Sequence, residues 1–144
     1  MNAVTVKLVE NAAEMEAAKA IRIRVFVHEQ SVPIEEEMDD ADAEAVHALA
    51  LLGTLPVGTG RLLTLPSGEA QIGRMAVDVP HRRAGVGALI MDCLEQEARR
   101  LGLTEAILHA QTYVRTFYSR QGYREEGEVF MEAGIEHISM RKRL

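Results

Sequence analysis

The chain has 144 residues, of which 47% are hydrophobic and 26% charged, and this size and balance fit one globular domain with its own core. A formal net charge of −6 and an aromatic content of 4% without tryptophan argue against nucleic-acid binding, which uses a basic face and aromatic side chains that stack on bases. The single cysteine, Cys93, excludes an intramolecular disulfide bond and a cysteine-based metal cluster.

The N-terminal segment has no basic region followed by an apolar run, so we expect no signal peptide. No apolar stretch approaches the roughly 18 residues that a membrane-spanning helix needs. We therefore expect a cytoplasmic protein that does not bind membranes. The oligomeric state stays open, with a homodimer as one option.

The predicted elements, in chain order, are a strand at 4–10, a helix at 12–28, strands at 45–53, 55–65 and 69–79, a helix at 86–101, a strand at 105–111, a short helix at 114–121, and strands at 124–133 and 135–144. Asn11 is the expected N-cap of the first helix, and Gly102 is placed to end the long one. The connection after the first helix is polar and acidic and is broken by Pro33. This order predicts a single α/β (α+β) domain over residues 1–144, with a mixed sheet and helices on both faces.

A glycine-rich turn precedes the long helix, with Arg82, Gly85 and Gly87 in the pattern R-x-x-G-x-G. A P-loop would need a Lys-Ser or Lys-Thr pair, and a dinucleotide fingerprint would need a third glycine where Ile90 stands. Small residues let the backbone approach a pyrophosphate, and a helix N-terminus attracts anions. The pattern therefore indicates a phosphate site, and the alternative is a strand–turn–helix whose glycines give only clearance.

The stretch "AVDVPHRRAGVGALIMDCLEQEARRLGL" (76–103) resembles the acetyl-CoA-binding segment of the GNAT superfamily of N-acyltransferases, whose signature is Q/R-x-x-G-x-G/A. The element order is similar to that superfamily across essentially the whole chain. Residues 22–47 and the stretch "GEVFMEAGIEHISM" (127–140) resemble its ElaA/YjcF-like branch, and the latter also resembles the glyphosate N-acetyltransferase group. The resemblance implies the GNAT-like fold, with a mixed, mostly antiparallel central sheet of six to seven strands.

The resemblance also implies an acetyl-CoA-dependent N-acetyltransferase that moves the acetyl group to a primary amine of a small molecule, by direct transfer in a ternary complex. Two alternatives stay open, a catalytically idle acyl-CoA sensor and an acetyltransferase for protein lysines or N-termini. The positions assigned to acetyl-CoA are Met75, Ala76 and Val77 along the pantetheine arm, and Arg82, Arg83, Ala84, Gly85, Val86, Gly87 and Ala88 around the pyrophosphate.

Tyr118 is the candidate acid for the leaving thiolate, because the resemblance places a tyrosine beside the CoA sulfur; a half-buried core tyrosine is the alternative. His137 is the candidate base, because the histidine of the similar motif in the glyphosate-acetylating group has that role and an imidazole suits proton removal near pH 7. In a strand that alternates, His137 points away from the core face of Ile138. The alternative is that His137 is a surface histidine without a catalytic role. The base would then be His47 or a water chain ending on Glu29.

The acceptor's charge stays open. Residues 29–44, which we call the acidic lip, contain eight carboxylates, and no lysine or arginine occurs between Val25 and Gly60, which favours a cationic acceptor. Arg22, Arg24 and Arg74 could instead hold a carboxylate in the same cleft, and Glu29 and His47 are further candidate substrate contacts. His109 has no assigned role, no metal-binding spacing occurs among the five histidines, and we expect no metal. Cys93 lies on the apolar stripe of the long helix, which favours direct transfer over an acetyl-cysteine intermediate.

Overall fold

The computed structural model describes residues 3–144 as a seven-stranded sheet with helices packed on it. The strands are β1 (Val4–Leu8), β2 (Val46–Leu52), β3 (Leu55–Thr64), β4 (Ala70–Val77), β5 (Glu105–Gln111), β6 (Arg124–Glu132) and β7 (Ile135–Arg143), and the helices are α1 (Ala12–Arg22), α2 (Ile34–Glu37), α3 (Val86–Arg100) and α4 (Arg115–Arg120). The strand order is β1-β2-β3-β4-β5-β7-β6, with β4 and β5 parallel and every other neighbouring pair antiparallel. The predicted mixed, mostly antiparallel sheet is confirmed.

Helices cover both faces of the sheet, as predicted. Ala18 and Ile21 of α1 pack against Leu49 of β2. Ile90 and Leu94 of α3 pack in a different layer, which contains Ala48 and Ala50, the residues on either side of Leu49 in the strand. Side chains alternate along a strand, so these two layers lie on opposite sides of the sheet. We call them the α1 face and the α3 face.

A glycine in β3 lets α3 lie close to the sheet. A Cβ atom on Gly60 would come within 2.7 Å of the Met75 sulfur and 2.8 Å of Cγ2 of Ile90. Ile90 and Leu94 are fully buried there, and burial of such a side chain contributes roughly 1.5–3 kcal/mol. Any larger residue at position 60 would therefore push the main packing helix off the sheet.

The first helix begins where predicted and changes character before its predicted end. Asn11 Oδ1 accepts a hydrogen bond from the Glu14 N–H at 2.8 Å, so the predicted N-cap is confirmed. From Ile23 to Glu29 the chain continues as a π-helix, in which Val25 and Phe26 are buried. None of the helices within residues 3–144 is long and apolar enough to cross a membrane.

Strands β4 and β5 pair along only part of their length. Their parallel pairing covers Ala70–Ile72 and Ala106–Leu108, and beyond these residues the two strands are no longer paired. In the same region β4 carries one extra residue relative to β3, and Arg74 takes a left-handed backbone conformation with φ +52°. The edge of β4 that faces β5 is therefore open from Gly73 onwards.

Candidate active site

A cleft of about 1010 Å³ extends around the separated ends of β4 and β5. Its lining brings together most of the residues predicted from the sequence, namely Arg74, Met75, Ala76, Val77, Arg82, Arg83, Gly85, Val86, Gly87, Ala88, Tyr118 and His137. Of the predicted coenzyme contacts, Ala84 is not among the lining residues. A cleft of this size accommodates a cofactor-sized ligand.

The glycine turn presents free backbone donors to this cleft. Gly85 is the N-cap of α3 with φ +79°, a conformation that glycine adopts without a Cβ penalty. The first hydrogen bond of α3 runs from the Leu89 N–H to the Gly85 carbonyl at 3.2 Å. The N–H groups of Val86, Gly87 and Ala88 therefore have no acceptor inside the helix. Three such donors at the positive end of a helix dipole fit a pyrophosphate.

The side chain of Arg82 is fixed rather than mobile. Its guanidinium donates to both carboxylate oxygens of Glu29 at 2.7 and 2.6 Å, and its Nε donates to the Val77 carbonyl at 2.8 Å. The hydrogen bonds from Arg82 lower the pKa of Glu29. This pair ties the end of the π-helix to the turn. Arg83, by contrast, forms no ion pair within residues 3–144.

Tyr118 lies at the cleft from the α3 face and is only 9% exposed. Its ring meets Phe117 and Tyr123 edge-on, with ring centroids 5.0 and 6.2 Å away. Burial raises its pKa far above the ordinary value, so the phenol is neutral at pH 7. Gly87 lies against Phe117, and a Cβ atom at position 87 would be 3.1 Å from Cζ of Phe117, so Phe117 would have to shift slightly to admit it.

His137 lies in β7 and is 7% exposed. Its Nδ1 is 2.7 Å from the Ile135 carbonyl oxygen, which can only accept, so Nδ1 carries a proton and the neutral ring has its lone pair on Nε2. Nε2 is 3.6 Å from Oε2 of Glu132. This tautomer is the one that a base acting through Nε2 requires.

The two candidate catalytic side chains reach the cleft from opposite faces of the sheet. Ile138 and Met140 are buried in the α3-face layer, so the predicted strand phase is confirmed and His137 lies on the α1 face, where Ile135 packs. Tyr118 belongs to the α3-face layer. The separation of β4 from β5 allows both residues to line one cleft.

Three arginines neutralise most of the buried and half-buried part of the acidic lip. The pairs are Arg22 with Glu37 and Asp42, Arg61 with Asp39 and Asp42, and Arg74 with Glu37 and Asp39, at N–O distances between 2.7 and 3.2 Å. Burial opposes the ionisation of Asp42, but the hydrogen bonds from Arg22 and Arg61 prevail and hold its pKa below the ordinary value. The part of the lip formed by Glu37, Asp39 and Asp42 is therefore held in ion pairs with arginines.

The family model for the acetyltransferase (GNAT) domain matches residues 9–144. The chain belongs to the GNAT acetyltransferase family. This GNAT chain is 41% identical over 136 residues to the Bacillus subtilis protein named uncharacterized N-acetyltransferase YjcF, covering 94% of this chain and 96% of that one.

Solved structures agree with the family. An acyl-CoA N-acyltransferase from Pseudomonas aeruginosa superposes with a TM-score of 0.86 at 30% identity, covering 97% of this chain and 99% of that one. Escherichia coli ElaA shares the fold with a TM-score of 0.87 at 24% identity over the same shares of the two chains. The predicted resemblance, with its ElaA/YjcF-like branch, is confirmed, and the chain is an N-acetyltransferase with the GNAT fold.

Four of the predicted acceptor contacts in this acetyltransferase do not line the cleft. Arg22 is buried in the lip, and Glu29 is bound to Arg82. Arg24 forms a bidentate pair with Asp78 at 2.7 and 3.0 Å. His47 is 6% exposed, bonds the Asp42 carbonyl through Nε2 at 3.0 Å, and has its pKa lowered by burial. We do not propose these four as substrate contacts, and Arg74 alone of the set remains at the cleft.

Glu132, for which no role was predicted, and His109, to which none was assigned, both line the cleft. A signal for them exists in the Ala133–Gly134 turn, where both residues have positive φ. A two-residue hairpin turn fixes the pairing of its strands, so Phe130 lies opposite His137 and Glu132 opposite Ile135. Reading this hairpin from the sequence would have placed Glu132 on the same face as His137.

A metal site and an acetyl-cysteine intermediate are the two alternatives to metal-free direct transfer in this acetyltransferase. Within residues 3–144, no group of three or more His, Cys, Asp or Glu side chains is placed to bind a metal ion. Cys93 is half-buried on α3, and burial raises the pKa of its thiol. A protonated thiol is a poor nucleophile, which disfavours an acetyl-cysteine intermediate at this position.

Proposed function

We propose that this acetyltransferase transfers the acetyl group of acetyl-CoA directly to the primary amine of a small molecule in a ternary complex. Tyr118 is the acid and His137 the base. The observation that supports this assignment is that both side chains line one cleft from opposite faces of the sheet, beside the free N–H groups of the glycine turn.

Two backbone segments suit two parts of the donor, the pyrophosphate and the pantetheine arm. The free N–H groups of Val86, Gly87 and Ala88 would hold the pyrophosphate, and the open edge of β4 at Met75–Val77 would pair with the amide groups of the pantetheine arm, as an added strand pairs with a sheet edge. Acetyl-CoA, when bound, supplies the thioester whose acetyl group is transferred.

His137 makes the acceptor nucleophilic. An alkylamine with a pKa of about 10 is almost entirely cationic at pH 7, so its proton has to be removed before nitrogen can attack a carbonyl carbon. Nε2 of His137 is the available lone pair, and the hydrogen bond from Nδ1–H to the Ile135 carbonyl keeps the ring in that tautomer. Such general base catalysis is typically worth about 10²–10⁴ in rate.

Tyr118 protonates the leaving group. Its hydroxyl has no hydrogen-bonding partner within the described residues, and burial keeps it protonated. A neutral phenol beside the sulfur would donate its proton to the thiolate that leaves. Because Cys93 stays a thiol, the amine itself is the acetyl acceptor in a single transfer.

Two carboxylates at the cleft favour a cationic acceptor. Glu36 and Glu132 line it and form no ion pair with an arginine within residues 3–144. Arg74 is held by Glu37 and Asp39 at 3.1 and 3.2 Å, so a substrate carboxylate would have to displace these partners. Amines with a second positive charge, such as polyamines and aminoglycosides, fit this arrangement better than amino acids.

Thiol release from acetyl-CoA tests the proposal, with spermidine, kanamycin, glycine and a lysine peptide as acceptors side by side. We expect turnover with a cationic small amine, a kcat/KM that rises with pH in the wild type, and loss of that rise in His137→Ala. Binding of acetyl-CoA without release in the presence of any amine would identify an idle acyl-CoA module. Preference for the peptide would instead identify a protein acetyltransferase.

A further inference from the structure

The carboxylate of Glu132 lies between two imidazole rings at the cleft. Its Oε1 is 3.3 Å from Nδ1 of His109, and its Oε2 is 3.6 Å from Nε2 of His137. All three side chains line the cleft, and they come from three adjacent strands, β5, β6 and β7. Nε2 of His137 is the same atom that carries the lone pair.

The backbone fixes this arrangement. Glu132 is the last residue of β6 and pairs with Ile135 across the two-residue turn. Phe130, two residues earlier, has its ring edge-on to His109 at 5.1 Å and stacked on His137 at 5.9 Å. The aromatic ring therefore spaces the two histidines, and the carboxylate follows it on the same face of the strand.

The charges around Glu132 keep it ionised. The hydrogen bond with His109 lowers the pKa of Glu132, and the charges of His109, His137 and Arg74 act in the same direction. The same hydrogen bond raises the pKa of His109. The groups that face the carboxylate from β4, β5 and β7 are therefore all basic, and a negative charge at position 132 persists at neutral pH.

We propose that Glu132 binds the ammonium group of the acceptor next to Nε2 of His137 and then stabilises the imidazolium that forms, while His109 holds the carboxylate in place. In this step an N–H bond of the ammonium breaks and an Nε2–H bond forms, so one positive charge moves from the amine to the ring. The charge stays beside the same carboxylate before and after the transfer. This inference rests on the proposed function and on His137 as the base.

The test compares Glu132→Gln with Glu128→Gln, a control at an exposed position of the same strand that does not line the cleft. Steady-state kinetics are measured over pH 6–9 with the fastest amine among spermidine, kanamycin, glycine and the lysine peptide. In Glu132→Gln we expect acceptor KM to rise and kcat/KM to fall by about ten- to a hundredfold, with acetyl-CoA KM unchanged. The rise of kcat/KM with pH should move to lower pH, because the protonated ring loses its counter-charge. Glu128→Gln should behave as the wild type.

His109→Gln separates the supporting role from a direct one. Alone it should lower kcat/KM by a few-fold, and added to Glu132→Gln it should have no further effect, because its only proposed partner is already neutral. A pH profile of Glu132→Gln that superimposes on the wild type, or an equal rise in acetyl-CoA KM, would overturn the inference. Absence of thiol release from the wild type would instead refute the proposed function.

Discussion

Replacement of Arg22 by methionine is expected to destabilise the fold strongly, because Arg22 is 1% exposed and joins α1 to the acidic lip. It donates from Nε to Glu37 Oε2 at 2.9 Å, from Nη2 to the Glu37 carbonyl at 2.8 Å, and to both oxygens of Asp42 at 2.9 and 3.1 Å. Methionine fills similar space but removes every one of these donors.

The magnitude follows from the partners that remain. Removing one member of a buried ion pair costs about 3–5 kcal/mol. In the variant Glu37 still pairs with Arg74 and Asp42 still pairs with Arg61. We therefore expect a loss of stability at the lower end of this range, about 3 kcal/mol. For a chain of 144 residues this corresponds to a Tm about 10 °C lower.

Arg24→Met is the matched control, because it lies two residues further along and its pair with Asp78 has an arginine side chain that is 49% exposed. An exposed pair is worth at most about 1 kcal/mol, or a Tm shift of about 3 °C. Thermal unfolding followed by circular dichroism measures both variants. Equal shifts would refute the idea that the buried arginine holds the lip.

Four further outcomes are expected. Tyr118→Phe should lower kcat by about ten- to a thousandfold with acetyl-CoA KM unchanged; wild-type kcat would remove the acid assignment. Gly85→Ala should raise acetyl-CoA KM and cost about 1 kcal/mol in urea unfolding, because φ is +79° there. Cys93→Ala should have the kcat of the wild type, and a folded but inactive variant would support an acetyl-cysteine intermediate. His47, whose pKa is lowered by burial, stabilises the fold fully above about pH 6.5 and progressively less below it. In urea unfolding, the free energy of unfolding should therefore fall less between pH 7.5 and pH 5.5 in His47→Gln than in the wild type. Equal falls in the two proteins would contradict this.

The element order could be predicted because its signals are local. Asn11 caps its helix through a hydrogen bond three residues away, and Gly102, with φ +81°, follows the end of α3. The π-helix could not be predicted, since Val25 and Phe26 satisfy an apolar pattern in either helix type.

Donor and acceptor residues were not equally predictable. Gly85 and Gly87 form a contiguous motif, so their placement followed from the sequence. The burial of Arg22 depends on carboxylates 15 and 20 residues away, and composition alone predicted a free arginine that could hold a substrate carboxylate. Glu132 reaches His137 only through the hairpin pairing of β6 with β7, a relation that helix and strand periodicity do not express.

The division of the cleft between two faces of the sheet has an evolutionary consequence. The glycine turn and Tyr118 belong to the α3 side, whereas the lip, His109, Glu132 and His137 are carried by the α1 side and the β6–β7 hairpin. On the proposed assignment, changes in the hairpin would alter which amine is accepted while the glycine turn stays as it is. A protein engineer could vary the hairpin around Glu132 and His137, keeping those two residues, without rebuilding the glycine turn on the other face of the sheet.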